Sequence, residues 1–185
     1  MSEAVGAIWD RVSVPDAAGA IVRRIEGFRS APYQDSAGVW TVGYGSTRDA
    51  SGAPVSPATP AIDEPAARAW QARDMAGAAA DVARLVTIPL LVCEAAALLS
   101  FDYNEGAAQL AASTLLRELN AGNKADLPAQ FRRWVYAGGS ALLGLLRRRW
   151  AEAAIFVGVD PETALARAWG EIQGLGDWPS FGAVP

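Results

Sequence analysis

The pattern of apolar and polar positions changes from helical to strand-like within the first 45 residues. Apolar residues spaced by three and four predict a helix over residues 17–26, with Asp16 as its N-cap and Gly27 at its end. From residue 31 to residue 45, β-branched and aromatic residues mix with polar ones, and 35–38 has the composition of a turn. We therefore expect a helix that runs directly into a β-hairpin.

Helical spacing dominates the rest of the chain, after a loop over residues 46–60 that is rich in Ser, Thr, Pro and Gly. Helix starts are marked by Asp63 before a proline and by Ser113, and glycines mark several ends. Helices are expected at 64–85, 90–103, 114–121, 127–136, 141–157 and 161–172. The sequence thus predicts an α+β, mostly helical fold, in which a small β-hairpin lobe and a larger helical lobe enclose a cleft.

Composition removes most classes of catalysis. The chain has no histidine, which excludes Ser-His-Asp and Cys-His catalysis and histidine metal sites. Cys93 is the only cysteine, so we predict a buried core residue and neither a disulfide nor a metal site. Lys124, the only lysine, is the one candidate for a Schiff base. Acid–base chemistry at carboxylates is what remains.

The net charge and the hydropathy of the chain limit the classes of partner that we expect it to bind. The net charge of −4 argues against general nucleic-acid binding. No uncharged run reaches the length of roughly 18 residues that a membrane-spanning helix needs, so no membrane insertion is expected.

Two carboxylates and a hydroxyl, Glu26, Asp35 and Thr41, lie around the predicted helix end and hairpin. Hydrolysis of a glycosidic bond needs one protonated carboxyl and one ionised carboxylate. Glu26, at a helix C-terminus among apolar neighbours, suits the protonated role. Asp35, beside a polar turn, suits the ionised one, and Thr41 is placed to hold a water molecule or a sugar group.

These residues sit in a segment that resembles the catalytic segment of the phage-type, T4-lysozyme-like muramidases, especially the lambdoid endolysin branch. The matching stretches run from residue 16 to about 158, with 1–15 left as a loosely attached leader and 159–185 as a C-terminal helix and tail of unknown role. They read Glu26-Gly-Phe-Arg, Tyr33-Gln-Asp, Trp40-Thr-Val-Gly-Tyr-Gly, Ser100-Phe-Asp-Tyr-Asn-Glu-Gly, Ser113-Thr-Leu-Leu-Arg-Glu-Leu-Asn-Ala-Gly, Arg133-Trp-Val-Tyr-Ala-Gly-Gly and Gly144-Leu-Leu-Arg-Arg-Arg.

The resemblance implies a lysozyme that cleaves the β-1,4 bond between N-acetylmuramic acid and N-acetylglucosamine without a cofactor. Glu26 matches the family's proton donor, Asp35 its second carboxylate and Thr41 its catalytic threonine. Whether Asp35 positions water, giving inversion, or acts as a nucleophile stays open. Two alternatives remain: a lytic transglycosylase, which leaves an anhydro sugar, and a non-catalytic wall-binding or virion module.

Further residues are assigned from the same resemblance. Tyr103 and Asn104 fall at the family's cleft floor, or are helix-end core and cap residues, and Thr114 either lines the cleft or belongs to a helix cap. Ser46 stands where relatives commonly have histidine, so an ion pair made there in relatives should be missing. Residues 147–149, three consecutive arginines, point in different directions on a helix and are expected to be mostly solvated.

The resemblance also implies a life cycle. A monomeric enzyme would be held in the host cytoplasm, pass the membrane through a hole made by a holin, and act on peptidoglycan in the periplasm. The secretory anchor that some relatives carry at their N-terminus is not recognisable in residues 1–10.

Overall fold

Eight α-helices and two short antiparallel hairpins make up residues 6–35 and 38–182, the part of the chain that the computed structural model describes. The elements in order are α1 Asp16–Glu26, β1 Arg29–Gln34, β2 Trp40–Gly43, α2 Glu64–Leu85, α3 Val92–Glu105, α4 Ala107–Ala112, α5 Thr114–Asn120, α6 Leu127–Phe131, β3 Tyr136–Ala137, β4 Ser140–Ala141, α7 Leu143–Phe156 and α8 Pro161–Glu171. The α+β, mostly helical architecture is the one that the sequence predicts.

Most helix boundaries follow the local signals. The side chains of Asp63 and Ser113 accept hydrogen bonds from the first turns of α2 and α5, as predicted. Gly27 ends α1 with φ of 67°, a conformation that glycine adopts at little cost. The role given to Asp16 is wrong: Pro15 precedes the helix, and Asp16 is its first residue.

The first hairpin is short and closely packed. Its register places Thr41 opposite Tyr33, and the backbone N–H of Gly38 donates to the carbonyl of Asp35 (3.0 Å), which is consistent with the expected turn. Residues 36 and 37 of that turn lie outside the described residues. At the other end, a Cβ on Gly43 would lie 2.9 Å from Cβ of Ala67 in α2, and φ there is +69°. Glycine at this position therefore lets the hairpin lie directly against α2.

Helix α3 forms the centre of the helical lobe, in contact with α1, α2 and α7. Every residue from Cys93 to Asp102 is buried, including Cys93 itself, as predicted. A helix that is apolar on all sides belongs inside a core. The ring of Phe101 meets those of Phe131 and Trp134 edge-on, at centroid distances of 5.9 and 5.2 Å, which packs the segment after α5 against α3.

The region between α6 and α7 differs from the expected pair of long helices. Helix α6 ends at Phe131 and α7 starts at Leu143, and the short hairpin β3–β4 lies between them. Gly138 and Gly139, both with positive φ, form its turn. Because the helix ends early, Tyr136, which was expected in the helix over 127–136, lies in β3 and is 66% exposed. Helix α4 was not predicted.

The segment before α1 is attached to the core. The Trp9 side chain is buried. The backbone N–H of Trp9 donates to the carbonyl of Leu90 (2.8 Å), and the backbone N–H of Val92 donates to the carbonyl of Ala7 (2.8 Å). The guanidinium of Arg11 donates to the carbonyls of Ala83 and Val86 at the C-terminal end of α2. The expected loose attachment is wrong for residues 7–11, and residues 1–5 lie outside the described part of the chain.

The segment after α8 also packs on the helical lobe. Its backbone carbonyls accept hydrogen bonds from the side chains of Arg132, Arg147, Trp150 and Arg167. Trp169 and Trp178 pack against the core. None of the helices within residues 6–35 and 38–182 combines the length and apolarity needed to cross a bilayer.

One buried carboxyl in α3 is not paired. Asp102 is 4% exposed, and its Oδ1 has no hydrogen-bond partner among the described residues. Burial raises the pKa of Asp102 to about 6, the nearby charge of Asp81 adds to the rise, and Arg84 opposes it. The ionised form of Asp102 therefore destabilises the helical lobe.

We expect Asp102→Asn to change how stability depends on pH. Because the folded-state pKa of about 6 lies above the ordinary value of 3.8, the folded protein holds a proton that the unfolded chain releases, so wild-type stability falls as pH rises through this window. The variant's stability relative to wild type should therefore rise by roughly 1–2 kcal/mol between about pH 4 and pH 7. Urea unfolding at both pH values measures this; the exposed control Asp126→Asn should show no such rise. An Asp102→Asn difference that is the same at both pH values would contradict the assignment.

Candidate active site

Glu26 is the last residue of α1 and lies where the helical lobe meets the hairpin. Its side chain is 34% exposed. Gly45 packs against it: a Cβ at Gly45, where φ is +92°, would lie 3.8 Å from Glu26 Oε2. Burial raises the pKa of the Glu26 carboxyl, and the positive charge of Arg148 opposes that rise. The direction agrees with the expectation from its position at an apolar helix end.

Arg148 comes to Glu26 from α7. Its Nη1 lies 3.7 Å from Glu26 Oε1, its Nε lies 3.2 Å from Glu152 Oε1, and its Nη2 donates to the backbone carbonyl of Ser100 at 3.0 Å. The Ser100 hydroxyl donates to the same Glu152 oxygen at 2.7 Å. Arg148 is 1% exposed and Glu152 is fully buried. The guanidinium facing Glu26 is thus held in place from both α3 and α7.

Arg149, one residue further along α7, is also fully buried. Its Nη1 lies 3.2 Å from Glu152 Oε2, its Nη2 donates to Asn104 Oδ1 (2.5 Å), and its guanidinium stacks 4.8 Å from the Phe101 ring centroid. The expected solvation of the arginine run is therefore wrong for Arg148 and Arg149. At this level α7 is packed against α3, α6 and α8 and has no solvent-facing side.

Asp35 and Thr41 lie on the hairpin. Asp35 is exposed at the end of β1, and its Oδ1 accepts the N–H of Val39 at 2.9 Å. Thr41 is 3% exposed, and its hydroxyl donates weakly to the carbonyl of Tyr33 at 3.4 Å. Thr41 pairs with Tyr33, and side chains alternate along a strand, so Asp35, two residues beyond Tyr33, falls on the same face as Thr41.

The three expected substrate contacts lie at different places. Tyr103 is half-buried; burial raises its pKa to about 12, and the negative charges of Asp74 and Glu26 add to this. Asn104 is exposed and reaches the site only through Arg149. Thr114, the first residue of α5, is half-buried, and its side chain makes no hydrogen bond to another described residue.

Ser46 lies directly after Gly45, beside Glu26. It is 1% exposed, and its Oγ has no hydrogen-bond partner in the described part of the chain. Its backbone forms a pair of 3.0 Å hydrogen bonds with Val42. The backbone turn from Val42 to Ser46 is therefore held by main-chain hydrogen bonds.

Metal and amine chemistry find no support around these residues. Within 6–35 and 38–182, no three His, Cys, Asp or Glu side chains are grouped closely enough to hold a metal ion. The amine of Lys124 lies 2.7 and 2.8 Å from the two carboxylate oxygens of Glu94, which accounts for it as half of an ion pair.

Comparison with known proteins agrees with this geometry. The family model described as phage lysozyme matches residues 23–152. The endolysin of Acyrthosiphon pisum secondary endosymbiont phage 1 is 34% identical over 140 residues, 74% of this chain and 92% of that protein. The SAR-endolysin of Escherichia phage Mu is 36% identical over 132 residues, 71% of this chain and 74% of that protein.

The chain belongs to the phage lysozyme family. Solved structures support the same placement. An endolysin from Escherichia coli O157:H7 phage FAHEc1 has a TM-score of 0.70 at 31% identity, covering 78% of this chain and 92% of its own. A mutant of P22 lysozyme has a TM-score of 0.72 at 29% identity, covering 79% and 99%.

Sequence reasoning missed the ion pairs that lead from Glu26 into the helical lobe of this phage lysozyme, made by Arg148, Glu152, Arg149 and Glu105. A signal for them does exist in the sequence. Arg148 and Arg149 stand four and three residues before Glu152, which is ion-pair spacing on a helix, and the residues around them are Trp and Ala. Charged residues paired inside an otherwise apolar helix indicate a buried ion cluster.

Arg148→Met should be far more destabilising than Arg147→Met in the same helix. Loss of Arg148 leaves Glu152 with one partner fewer in a fully buried site, which we expect to cost about 3–5 kcal/mol in the free energy of unfolding. Arg147 is half-buried and donates to a neutral acceptor, the backbone carbonyl of Ile172, so its loss should cost about 1 kcal/mol. Denaturant unfolding of both variants provides the comparison; similar losses would show that the burial of Arg148 carries no special weight.

Proposed function

We propose that this phage lysozyme is a muramidase of the endolysin type, which hydrolyses the β-1,4 bond between N-acetylmuramic acid and N-acetylglucosamine. Membership of the family makes it a peptidoglycan-cleaving glycosidase that acts in cell-wall lysis. The finer assignment of bond and product rests on the site. The observation that carries it is Glu26: a partly buried carboxyl with a raised pKa, 34% exposed and 3.7 Å from a buried arginine.

In this mechanism Glu26 is the general acid that protonates the glycosidic oxygen as the bond breaks. A general acid must hold its proton near the working pH and yet release it readily. Burial favours the protonated form, and Arg148 favours the carboxylate that remains after the proton is given up. Because burial and Arg148 act in opposite directions, the Glu26 carboxyl is suited both to hold its proton and to release it.

The hairpin supplies the second half of the reaction. Asp35 is the second carboxylate, acting on the opposite side of the sugar ring from Glu26, and the Thr41 hydroxyl on the same face of the hairpin positions the attacking water. The weak 3.4 Å contact of Thr41 with a backbone carbonyl leaves its oxygen able to accept a hydrogen bond. Tyr103 and Asn104, on α3, and Thr114, on α5, are the proposed sugar contacts of the helical lobe.

The biological setting follows from this assignment. We propose that the enzyme works as a monomer, accumulates in the host cytoplasm, crosses the membrane through a holin-made hole and cuts periplasmic peptidoglycan. The catalytic unit is assigned to residues 16–158.

Glu26→Gln should lower peptidoglycan cleavage by about 10³-fold while the protein stays folded, because Gln keeps the shape of Glu but has no acidic proton to give. Purified Gram-negative peptidoglycan is digested and the products are identified by mass spectrometry. Wild type should release muropeptides with reducing ends. The charge-matched control Glu118→Gln, on α5, should act like wild type.

Other product patterns would count against the proposal. Anhydro-muropeptides from wild type would make the protein a lytic transglycosylase. No cleavage by folded wild type would leave a wall-binding module, and activity retained in Glu26→Gln would remove Glu26 from its role.

Asp35→Asn tests the second carboxylate without disturbing the turn. Asn retains a side-chain oxygen that can accept the 2.9 Å hydrogen bond from Val39, so the hairpin should keep its shape while the charge is lost. We expect turnover to fall by at least about 10²-fold, with little change in the free energy of unfolding. Near-normal turnover in the folded variant would show that Asp35 is only a turn residue.

A further inference from the structure

Five charged side chains of alternating sign form a continuous line from the candidate acid into the helical lobe. Glu26 faces Arg148 (3.7 Å), Arg148 faces Glu152 (3.2 Å), Glu152 faces Arg149 (3.2 Å), and Arg149 faces Glu105 (3.8 Å). The three middle members are at most 1% exposed. Only the two ends reach solvent: the side chain of Glu26 is 34% exposed and that of Glu105 is 22% exposed. We call these five residues the charge line.

The partners along the charge line are shared. Nη1 of Arg149 lies between Glu152 and Glu105, and Glu152 uses one oxygen for Arg148 and the other for Arg149. Neither Nη1 of Arg149 nor Oε2 of Glu152 has a partner with good hydrogen-bond geometry among the described residues. Arg149 is therefore shared between two carboxylates, and a stronger interaction with one weakens its interaction with the other.

Buried pairs of this kind influence each other strongly, because the low dielectric of the interior screens them little. Among the described residues, the charged or titratable groups that face Glu26 are Arg148 of α7 and Tyr103 of α3. Those that act on Glu105 are Arg149, Glu152 and Arg148, all on α7. The charge line is thus the route by which the surface carboxylate Glu105 can affect Glu26.

We infer that Glu105 is a positioning residue for the catalytic acid. Because Glu105 shares Arg149 with Glu152, Glu152 pairs more strongly with Arg148. This pairing limits how strongly Arg148 favours the ionised form of Glu26. This inference rests on the proposed role of Glu26 as the acid. Glu105 does not touch the substrate and acts on the reaction only through α7.

The direction of the effect follows without ambiguity. When the charge of Glu105 is removed, Arg149 pairs with Glu152 alone. Glu152 then pairs less strongly with Arg148, and Arg148 interacts more strongly with Glu26. The direct field of the missing carboxylate acts in the same sense, since removing a negative charge favours ionisation of Glu26. Both contributions lower the pKa of Glu26, so the acid loses its proton at a lower pH.

The test is a titration of the Glu26 carboxyl carbon by NMR in wild type, Glu105→Gln, Glu105→Asp and Glu118→Gln. Glu105→Gln should lower the pKa of Glu26 by about half a unit, and the alkaline limb of the pH–rate profile on peptidoglycan should move by the same amount. Glu105→Asp, which keeps the charge, should stay close to wild type. Glu118→Gln, which removes the same charge from α5, should not shift the pKa.

Several outcomes would overturn the inference. An unchanged Glu26 pKa in folded Glu105→Gln, or an equal shift in Glu118→Gln, removes Glu105 from this role. A shift that vanishes in about 0.5 M NaCl would indicate a field through solvent, because buried pairs are screened far less than exposed ones. The proposed function fails separately, if Glu26→Gln keeps its activity, and the NMR titration reads the coupling whether or not the enzyme turns over.

Discussion

The buried pairing of Glu152 with Arg148 and Arg149 is the interaction on which the site depends. Bringing three charged groups out of water costs several kcal/mol for each ion, and the mutual attraction repays this only when the geometry and the surrounding hydrogen bonds are good. Here Ser100 supplies a hydroxyl and a backbone carbonyl to the same cluster. An apolar core would be simpler to build, but it would place no fixed positive charge beside Glu26.

The position of Glu26 links the two lobes. It ends α1, which is packed in the helical lobe, and Gly27 then turns the chain into β1. The carboxyl is thus fixed from below by α7 and enclosed from the side by the Gly45 turn of the hairpin segment. Small movements between the lobes would change how much of Glu26 is exposed, and therefore its proton affinity.

Local signals were sufficient for much of the fold and for part of the candidate site. Helix α2 with its Asp63 cap, α5 with Ser113, and the hairpin bearing Asp35 and Thr41 follow from short-range chemistry, and so does the direction of the Glu26 pKa. For the burial of Arg148 and Arg149, the spacing to Glu152 is the one local signal, and the burial itself is decided by what α3 and α6 place around α7. Tyr136 shows the same limit: helical spacing continued past Phe131, but two glycines with positive φ favoured a turn. Trp9 was missed because its partner, Leu90, is distant in sequence.

The segment after α8 shows that the end of the family match and the end of the packed core lie at different places in the chain. The family match ends at residue 152, whereas Trp150, inside the match, donates its indole N–H to Pro179 far beyond it. Two arginines inside the match, Arg132 and Arg147, likewise donate to the carbonyls of Gly176 and Ile172. The unit that is shared with relatives is therefore smaller than the unit that closes its own core. A chimera joined at the end of the family match would keep guanidinium and indole donors but lose the carbonyl groups that accept their hydrogen bonds. The joining point for an exchange between such enzymes should therefore be chosen from the packing of the core and not from the sequence match.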